Sequence, residues 1–226
     1  MKVLITGIFG FVGNHLIKHL IDSFLLNKIN QQKNNSKNKV NNILNNHSIH
    51  ILGADIKKGG FSKSLEFDKN PKGFNKKIKI DLKEIDLRKK ADVDNMIKCF
   101  KPEHIYHLAA QSSVAHSWEN PVETFEMNVF ATLNLLESVT KYCPECKILI
   151  TCTAEEYGFD SKESDFVLKE SDRIYPINPY AVSKAAVDFL ASIYNKSKSV
   201  LTYVTRSFNH TGPGQSDRFV VSDFAK

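Results

Sequence analysis

The sequence predicts an α/β fold, a parallel sheet wound on both faces by helices, on three observations. Short apolar, β-favouring runs recur along the chain, helical stretches stand between them, and a glycine-rich turn joins the first run to the first helix. Lys2-Val-Leu-Ile5 reads as a buried first strand. Val12, Leu16 and Leu20, with Ile17 and Ile21, give the next helix an apolar face. Residues 27–48 differ in kind. Nine of these 22 residues are Asn, mixed with Lys, Gln and Ser, which reads as a surface insertion too polar to bury a core. Residues 49–55 form the second strand, and the Lys/Gly/Asn-rich stretch 57–77 a loop or second insertion. A short strand is expected around 78–82 or 84–87, a helix over 91–100 and a strand over 104–110. A long helix over 122–142 carries Phe125, Val129, Leu133 and Leu136 on one face. A strand over 147–152, a helix over 179–194 and a strand over 200–206 complete the alternation.

Composition narrows the function classes. A chain of 226 residues holds one domain or little more, and 42% hydrophobic residues suffice for a packed core. The formal net charge of +6 invites a nucleic-acid reading, but much of the positive charge lies in the polar stretches and no nucleic-acid module is visible. A basic surface also suits an anionic nucleotide ligand. Cys143-Pro-Glu-Cys146 has redox or half-zinc spacing without a second Cys/His pair, so no metal site is assigned. No apolar run approaches the roughly 20 residues of a membrane span. Cleaving a leader would remove the strand that begins at Lys2, so the expected compartment is the cytoplasm.

The first strand ends in Thr6-Gly7-Ile-Phe-Gly10-Phe-Val-Gly13. Glycines between a strand and a helix let the backbone approach a pyrophosphate, and the helix N-terminus offers free N–H groups. Gly7, Gly10, Phe11, Val12 and Gly13 are therefore expected against a dinucleotide in a Rossmann-type site. The spacing is Gly-x-x-Gly-x-x-Gly rather than Gly-x-Gly-x-x-Gly. An acidic residue should follow the second strand about 20 positions later. Asp55 is 42 positions past Gly13, and setting aside the 22-residue insertion brings it to the expected distance. A carboxylate on the ribose hydroxyls favours NAD over NADP, although Lys57 and Lys58 stand ready for a 2′-phosphate. Asp86 and Leu87 are candidates for the adenine, with a structural role as the alternative.

Asn178-Pro-Tyr180-Ala-Val-Ser-Lys184 opens a helix, with Asn178 as its cap and Pro179 at its first position. Tyr180 and Lys184 are four apart and share a face, so the ammonium is expected to lower the phenol's pKa and make it an acid or base near neutral pH. Thr151-Cys-Thr153-Ala-Glu155-Glu-Tyr157-Gly158 follows a strand whose carboxyl end is where open α/β sheets bind ligands. Thr153 is a candidate hydrogen-bond partner for a substrate oxygen, and Glu155 a second acid or base. A solvated loop is the alternative for Glu155 and Glu156.

These pieces, with His107-Leu-Ala-Ala-Gln111-Ser-Ser113-Val, Asn128 and Arg206-x-Phe-Asn209, resemble the extended short-chain dehydrogenase/reductases, the epimerase/dehydratase family that modifies nucleotide sugars. The resemblance covers nearly all the chain outside 27–48 and 57–77. Arg206-Ser-Phe-Asn209-His-Thr-Gly-Pro-Gly-Gln215 is most similar to GDP-4-keto-6-deoxymannose reductases, with GDP-mannose 4,6-dehydratases as near relatives. The resemblance implies that Tyr180 exchanges a proton at the C4 oxygen, Lys184 holds the nicotinamide ribose and Thr153 orients the substrate. It implies that Leu108, Ala109, Ala110 and Gln111 line the cofactor. Ser112, Ser113, Asn209 and Arg206 would lie toward a GDP-hexose, with an internal ion pair as the alternative for Arg206. His107 and His210 read as structural. The implied domains are a dinucleotide-binding unit over 1–206 and the start of a small substrate-binding region over 207–226, and a homodimer is implied by the two long helices. Reduction of a C4 ketone leads, with dehydration, 4-epimerisation and a non-catalytic dinucleotide-binding module as alternatives. Thr153-Ala154 departs from the paired serines common in similar reductases but keeps the hydroxyl.

Overall fold

A computed structural model of the chain describes residues 1–34, 48–56, 78–158, 167–198, 200–217 and 219–225. The elements run β1 (Lys2–Thr6), α1 (Phe11–Asn34), β2 (Ile49–Asp55), β3 (Ile78–Glu84), α2 (Lys90–Phe100) and β4 (His104–His107). Then come α3 (Val114–Glu119), α4 (Pro121–Phe125), a π-helical turn over Glu126–Phe130, α5 (Ala131–Tyr142) and β5 (Lys147–Thr153). A 3₁₀ turn over Ala154–Tyr157, α6 (Pro179–Lys198), β6 (Leu201–Ser207) and α7 (Val220–Phe224) follow. The six strands form one sheet in the order β3-β2-β1-β4-β5-β6, every pairing parallel. This is the Rossmann-type doubly wound sheet.

Strand periodicity explains why both faces need helices. Along β1, Val3 and Ile5 pack with Ile17 and Ile21 of α1, while Leu4 packs in a second cluster with Met96 of α2 and Leu135 of α5. Successive side chains of a strand point to opposite faces, so a strand apolar at every position must be covered twice. The chain reverses its winding between β1 and β4, where Thr6 is in register with His107. A crevice opens at the carboxyl ends there, the place where such sheets take ligands.

Several elements differ from the sequence expectation. The buried face of α1 is Gly13, Ile17 and Ile21; Leu16 and Leu20 flank it and Val12 is exposed. An apolar residue one position off the packing stripe satisfies the same periodicity, which is why Val12 misleads. Helix α1 also runs to Asn34, into the segment read as insertion, because Asn lowers helix propensity without ending a helix already anchored by packing. The rest of that segment, 35–47, and the stretch 57–77 with Lys57 and Lys58 lie outside the described residues. Strand β4 stops at His107, short of the 104–110 expected, since its pairings with β1 and β5 both end there. The long helix expected over 122–142 contains the π-helical turn, in which one residue is inserted around Asn128.

Candidate active site

The cofactor side is built by backbone. Gly7 has φ +69°, and a Cβ there would lie 2.7 Å from the Ala109 nitrogen. A Cβ on Gly13 would lie 2.5 Å from the Gly7 carbonyl oxygen. Only glycine fits either place without moving main chain. Beside this turn is a cleft of about 390 Å³, lined among others by Gly7, Gly10, Asp55, Asp86, Leu108 and Ala109. Leu87 and Ala110 line it too, while Phe11, Val12, Gly13 and Gln111 do not. Phe11 instead stands edge-on to His15, whose Nε2 is 3.0 Å from the Pro213 carbonyl oxygen. The Asp55 carboxylate accepts from the Phe9 N–H at 3.1 Å and the Ile56 N–H at 2.8 Å, which fixes it at the rim of the glycine turn. A small-residue cradle with an oriented carboxylate fits a dinucleotide.

Arg88 was not anticipated from the sequence. It lines the cleft and holds Asp86 through three hydrogen bonds of 2.8–3.2 Å. Those bonds keep the Asp86 carboxyl below its usual range. Its proximity to Asp86, two positions on, was the available signal.

The second half of the site lies at the carboxyl end of β5. Thr153 caps the 3₁₀ turn. Its hydroxyl accepts from the Glu155 N–H at 3.2 Å, and its own N–H donates to Glu156 Oε1 at 3.1 Å. Asn178 caps α6 by accepting from the Ala181 N–H at 2.7 Å, as expected, and its amide donates to Glu155 Oε2 at 3.1 Å. This sets Glu155 beside the first turn of α6, which carries Tyr180. The Tyr180 N–H donates to Ser117 Oγ at 3.1 Å.

Tyr180 and Lys184 are both buried. Burial pushes the phenol up to about 12, and a hydrogen bond with Thr153 only partly offsets it. Lys184 donates to the Thr151 carbonyl at 2.7 Å, and burial lowers its pKa. The expected lowering of Tyr180 by Lys184 is therefore not produced by the protein's own groups. Sharing a helix face does not ensure that the two groups interact: desolvation of the phenolate dominates, and the ammonium is bonded to the Thr151 carbonyl.

Other anticipated residues fall as follows. The Gln111 amide donates to the Ser113 carbonyl and to Thr124 Oγ1, both at 3.0 Å, and its N–H donates to Asn128 Oδ1 at 2.8 Å. Asn128 then donates to Ser183 Oγ at 2.9 Å, tying the loop after β4 to α6. Ser113 caps α3 by accepting from the His116 N–H at 3.2 Å, while Ser112 and Asn209 are exposed. Arg206 donates to Asp188 at 2.7 Å and to the Tyr157 hydroxyl and the Glu170 carbonyl at 2.9 Å each. Its guanidinium is thus engaged inside the protein. Glu156, for which a solvated loop was one expectation, is 0% exposed. His107 is buried between Thr6 and Thr132, each at 2.8 Å, and burial pushes it down to about 3, so it is neutral. Cys143 and Cys146 precede the amino end of β5, the far end of the strand from Thr153. Among the described residues no group of three or more His, Cys, Asp or Glu side chains is arranged to hold a metal ion, and no helix is long and apolar enough to cross a membrane.

The family model described as GDP-mannose 4,6 dehydratase matches residues 60–226. A GDP-6-deoxy-D-mannose reductase of Pseudomonas aeruginosa is 34% identical over 125 residues, covering 55% of this chain and 41% of its own. A GDP-mannose 4,6-dehydratase of Vibrio cholerae is 31% identical over 137 residues, covering 60% of this chain and 36% of its own. The crystal structure of a Thermus thermophilus UDP-glucose 4-epimerase in complex with NAD superposes with a TM-score of 0.75 at 28% identity, over 100% of this chain and 60% of that one. The chain thus spans less than two thirds of the length of each of these proteins.

Proposed function

Since the chain belongs to the GDP-mannose 4,6 dehydratase family, whose members act on nucleotide sugars with a nicotinamide cofactor, we propose that it reduces the C4 ketone of GDP-4-keto-6-deoxymannose. The observation that carries this reading is the placement of Tyr180, buried in the first turn of α6 and hydrogen-bonded with Thr153 at the carboxyl end of β5. A protonated phenol is ready to give a proton to a carbonyl oxygen as that oxygen gains charge. Bound NADH or NADPH would supply the hydride. Gly7, Gly10 and Asp55 would hold the dinucleotide, with Asp86 and Leu87 at its adenine end. Lys184 would hold the nicotinamide ribose. Thr153 would orient the ketone, and Ser112 and Asn209 would lie toward the substrate. Residues 207–226 would begin the region that closes over the sugar nucleotide. The proposed compartment is the cytoplasm.

The second reading is dehydration of GDP-mannose, with Glu155 taking the C5 proton. It is favoured by one observation, the Asn178 hydrogen bond that sets Glu155 beside Tyr180's helix turn. Stoichiometric protein with GDP-4-keto-6-deoxymannose and reduced cofactor, followed by nicotinamide absorbance, tests the first reading. GDP-mannose with oxidised cofactor, followed by formation of a keto product, tests the second. Oxidation of reduced cofactor in the first mixture is the expected result. A keto product in the second alone moves the assignment to a dehydratase. Silence in both with cofactor bound leaves a dinucleotide-binding module.

The chain is further proposed to pair with a second copy through α4, α5 and α6. Val122 on α4, Phe130 on the π-helical turn that leads into α5, and Phe189 and Ile193 on α6 are each more than half exposed. Large apolar side chains in one region mark an interaction surface. Sedimentation of Phe189→Asp beside the unaltered chain checks this, and an unaltered chain that is monomeric at all concentrations would end the idea.

A further inference from the structure

Glu156 is the most deeply buried acid of the described residues, at 0% exposure. One oxygen accepts from the Thr153 N–H at 3.1 Å. The other, Oε2, has no hydrogen-bond partner among the described residues and lies 3.5 Å from Arg206 Nε. That nitrogen already donates to Asp188 at 2.7 Å. A single guanidinium therefore stands between two buried carboxyl groups and is committed to one of them. Two like charges in such a place favour a proton on one member of the pair.

We propose that Glu156 is a positioning residue whose buried carboxyl takes up and releases a proton against the Arg206–Asp188 pair and thereby sets how Thr153 is held against Tyr180. The ionisable surroundings come from four elements. β5 contributes the Cys152 thiol, the 3₁₀ turn Glu155 and Tyr157, α6 Tyr180, Lys184 and Asp188, and β6 Arg206. Burial pushes Glu156 up to about 7. The Thr153 N–H opposes this, Asp188 adds to it and Arg206 opposes it. The charge is felt across the site, since an ionised Glu156 raises the Tyr180 phenol and favours the Lys184 ammonium. A proton on Glu156 weakens its acceptance from the Thr153 N–H and removes that charge. The catalytic consequence rests on the reading of Tyr180 as proton donor; the proton exchange itself does not.

The test is the Thr153 amide resonance of the full chain, followed by NMR across neutral pH. One titration is expected with a midpoint near 7, matched by the carbon resonance of the Glu156 carboxyl. Glu156→Gln should abolish it, and Asp188→Asn should move its midpoint to lower pH by removing the like charge. A flat Thr153 amide in the unaltered chain overturns the proposal, as does a titration that survives in Glu156→Gln. If Glu156→Gln does not fold, the direct carboxyl titration and the Asp188→Asn shift still decide. The kcat profile of Glu156→Gln in ketone reduction should lose its inflection near neutral pH while KM for cofactor stays unchanged. Absence of turnover in every variant alongside a titrating Thr153 would end the reductase reading and leave the positioning role standing.

Discussion

The two halves of the candidate site are built from different materials. The cofactor side, from β1 to β3, presents backbone and small residues around an open cleft, with Asp55 and Asp86 each fixed by short local hydrogen bonds. The side around β5, α6 and β6 is built from the buried ionisable side chains Glu156, Tyr180, Lys184 and Asp188 and the half-buried Arg206, which meet from distant parts of the sequence. A backbone cradle needs only shape and approach. A proton-transfer site needs groups whose affinity for protons is moved by their neighbours, which requires burial.

The largest effect should come from separating the halves chemically. Tyr180→Phe removes a phenol on the buried side and touches nothing in the cleft. Turnover should fall by about 10²–10⁴-fold, the usual contribution of a positioned acid or base. Cofactor affinity, read by fluorescence titration, should stay within a few-fold of the unaltered chain. Near-normal turnover would remove Tyr180 from its role; lost cofactor affinity would show that the halves are not separable.

Arg206→Met tests the buried half as a structure. It leaves Asp188 and Glu156 without their cation, and breaking a buried pair costs about 3–5 kcal/mol. Urea unfolding should show a loss of that order, whereas removing Arg88 from the more open cleft should cost far less. Equal losses would contradict the contrast between the halves.

The same contrast decides what could be read in the sequence. Gly7, Gly13 and Asp55 were legible because a strand, a turn and a helix place them by local rules once the insertion is set aside. The cap at Asn178 was legible for the same reason, whereas the expected action of Lys184 on the Tyr180 phenol was not met, because the ammonium is bonded to the Thr151 carbonyl. Glu156 was not read as a site residue, although the Thr153-x-x-Glu156 spacing is a capping-box pattern that Glu155 does not share. What the pattern does not show is that the carboxyl is buried beside Arg206, which depends on the packing of β6 and α6. Arg206 illustrates the limit from the other side: a motif marks it, but its partner Asp188 lies on another element. Asn128 depends on a π-helical turn that helical periodicity does not signal.

Stability against pH should carry the signature of the buried half. Glu156 has its folded pKa raised from 4.5 to about 7, so its ionisation opposes folding. Its contribution is fully present below the unfolded value and is lost as pH rises through about 7. Asp86 behaves oppositely: its lowered pKa gives stability that is present above its unfolded value and lost as pH falls toward the folded one. The difference in unfolding free energy between the unaltered chain and Glu156→Gln should therefore fall across that range by an amount on the order of 3 kcal/mol, at about 1.4 kcal/mol per unit. A constant difference would mean that folding does not shift the proton affinity of Glu156.

The smallest effect belongs to the open half. Asp55 presents its carboxylate at the rim of the cleft, already held by two backbone N–H groups. A 2′-phosphate on the adenosine ribose would bring negative charge against it, which favours NAD over NADP. Asp55→Asn keeps an oxygen to accept from the backbone and removes the charge. The ratio of affinities for the two cofactors should move toward NADP by about tenfold, equivalent to about 1.4 kcal/mol, because a half-buried charge at the rim of an open cleft is partly screened by solvent. Paired titrations with both cofactors read this ratio directly. If it does not change, discrimination lies elsewhere in the cleft, with Arg88 the next group to vary because, among the described residues, it is the cation that lines it.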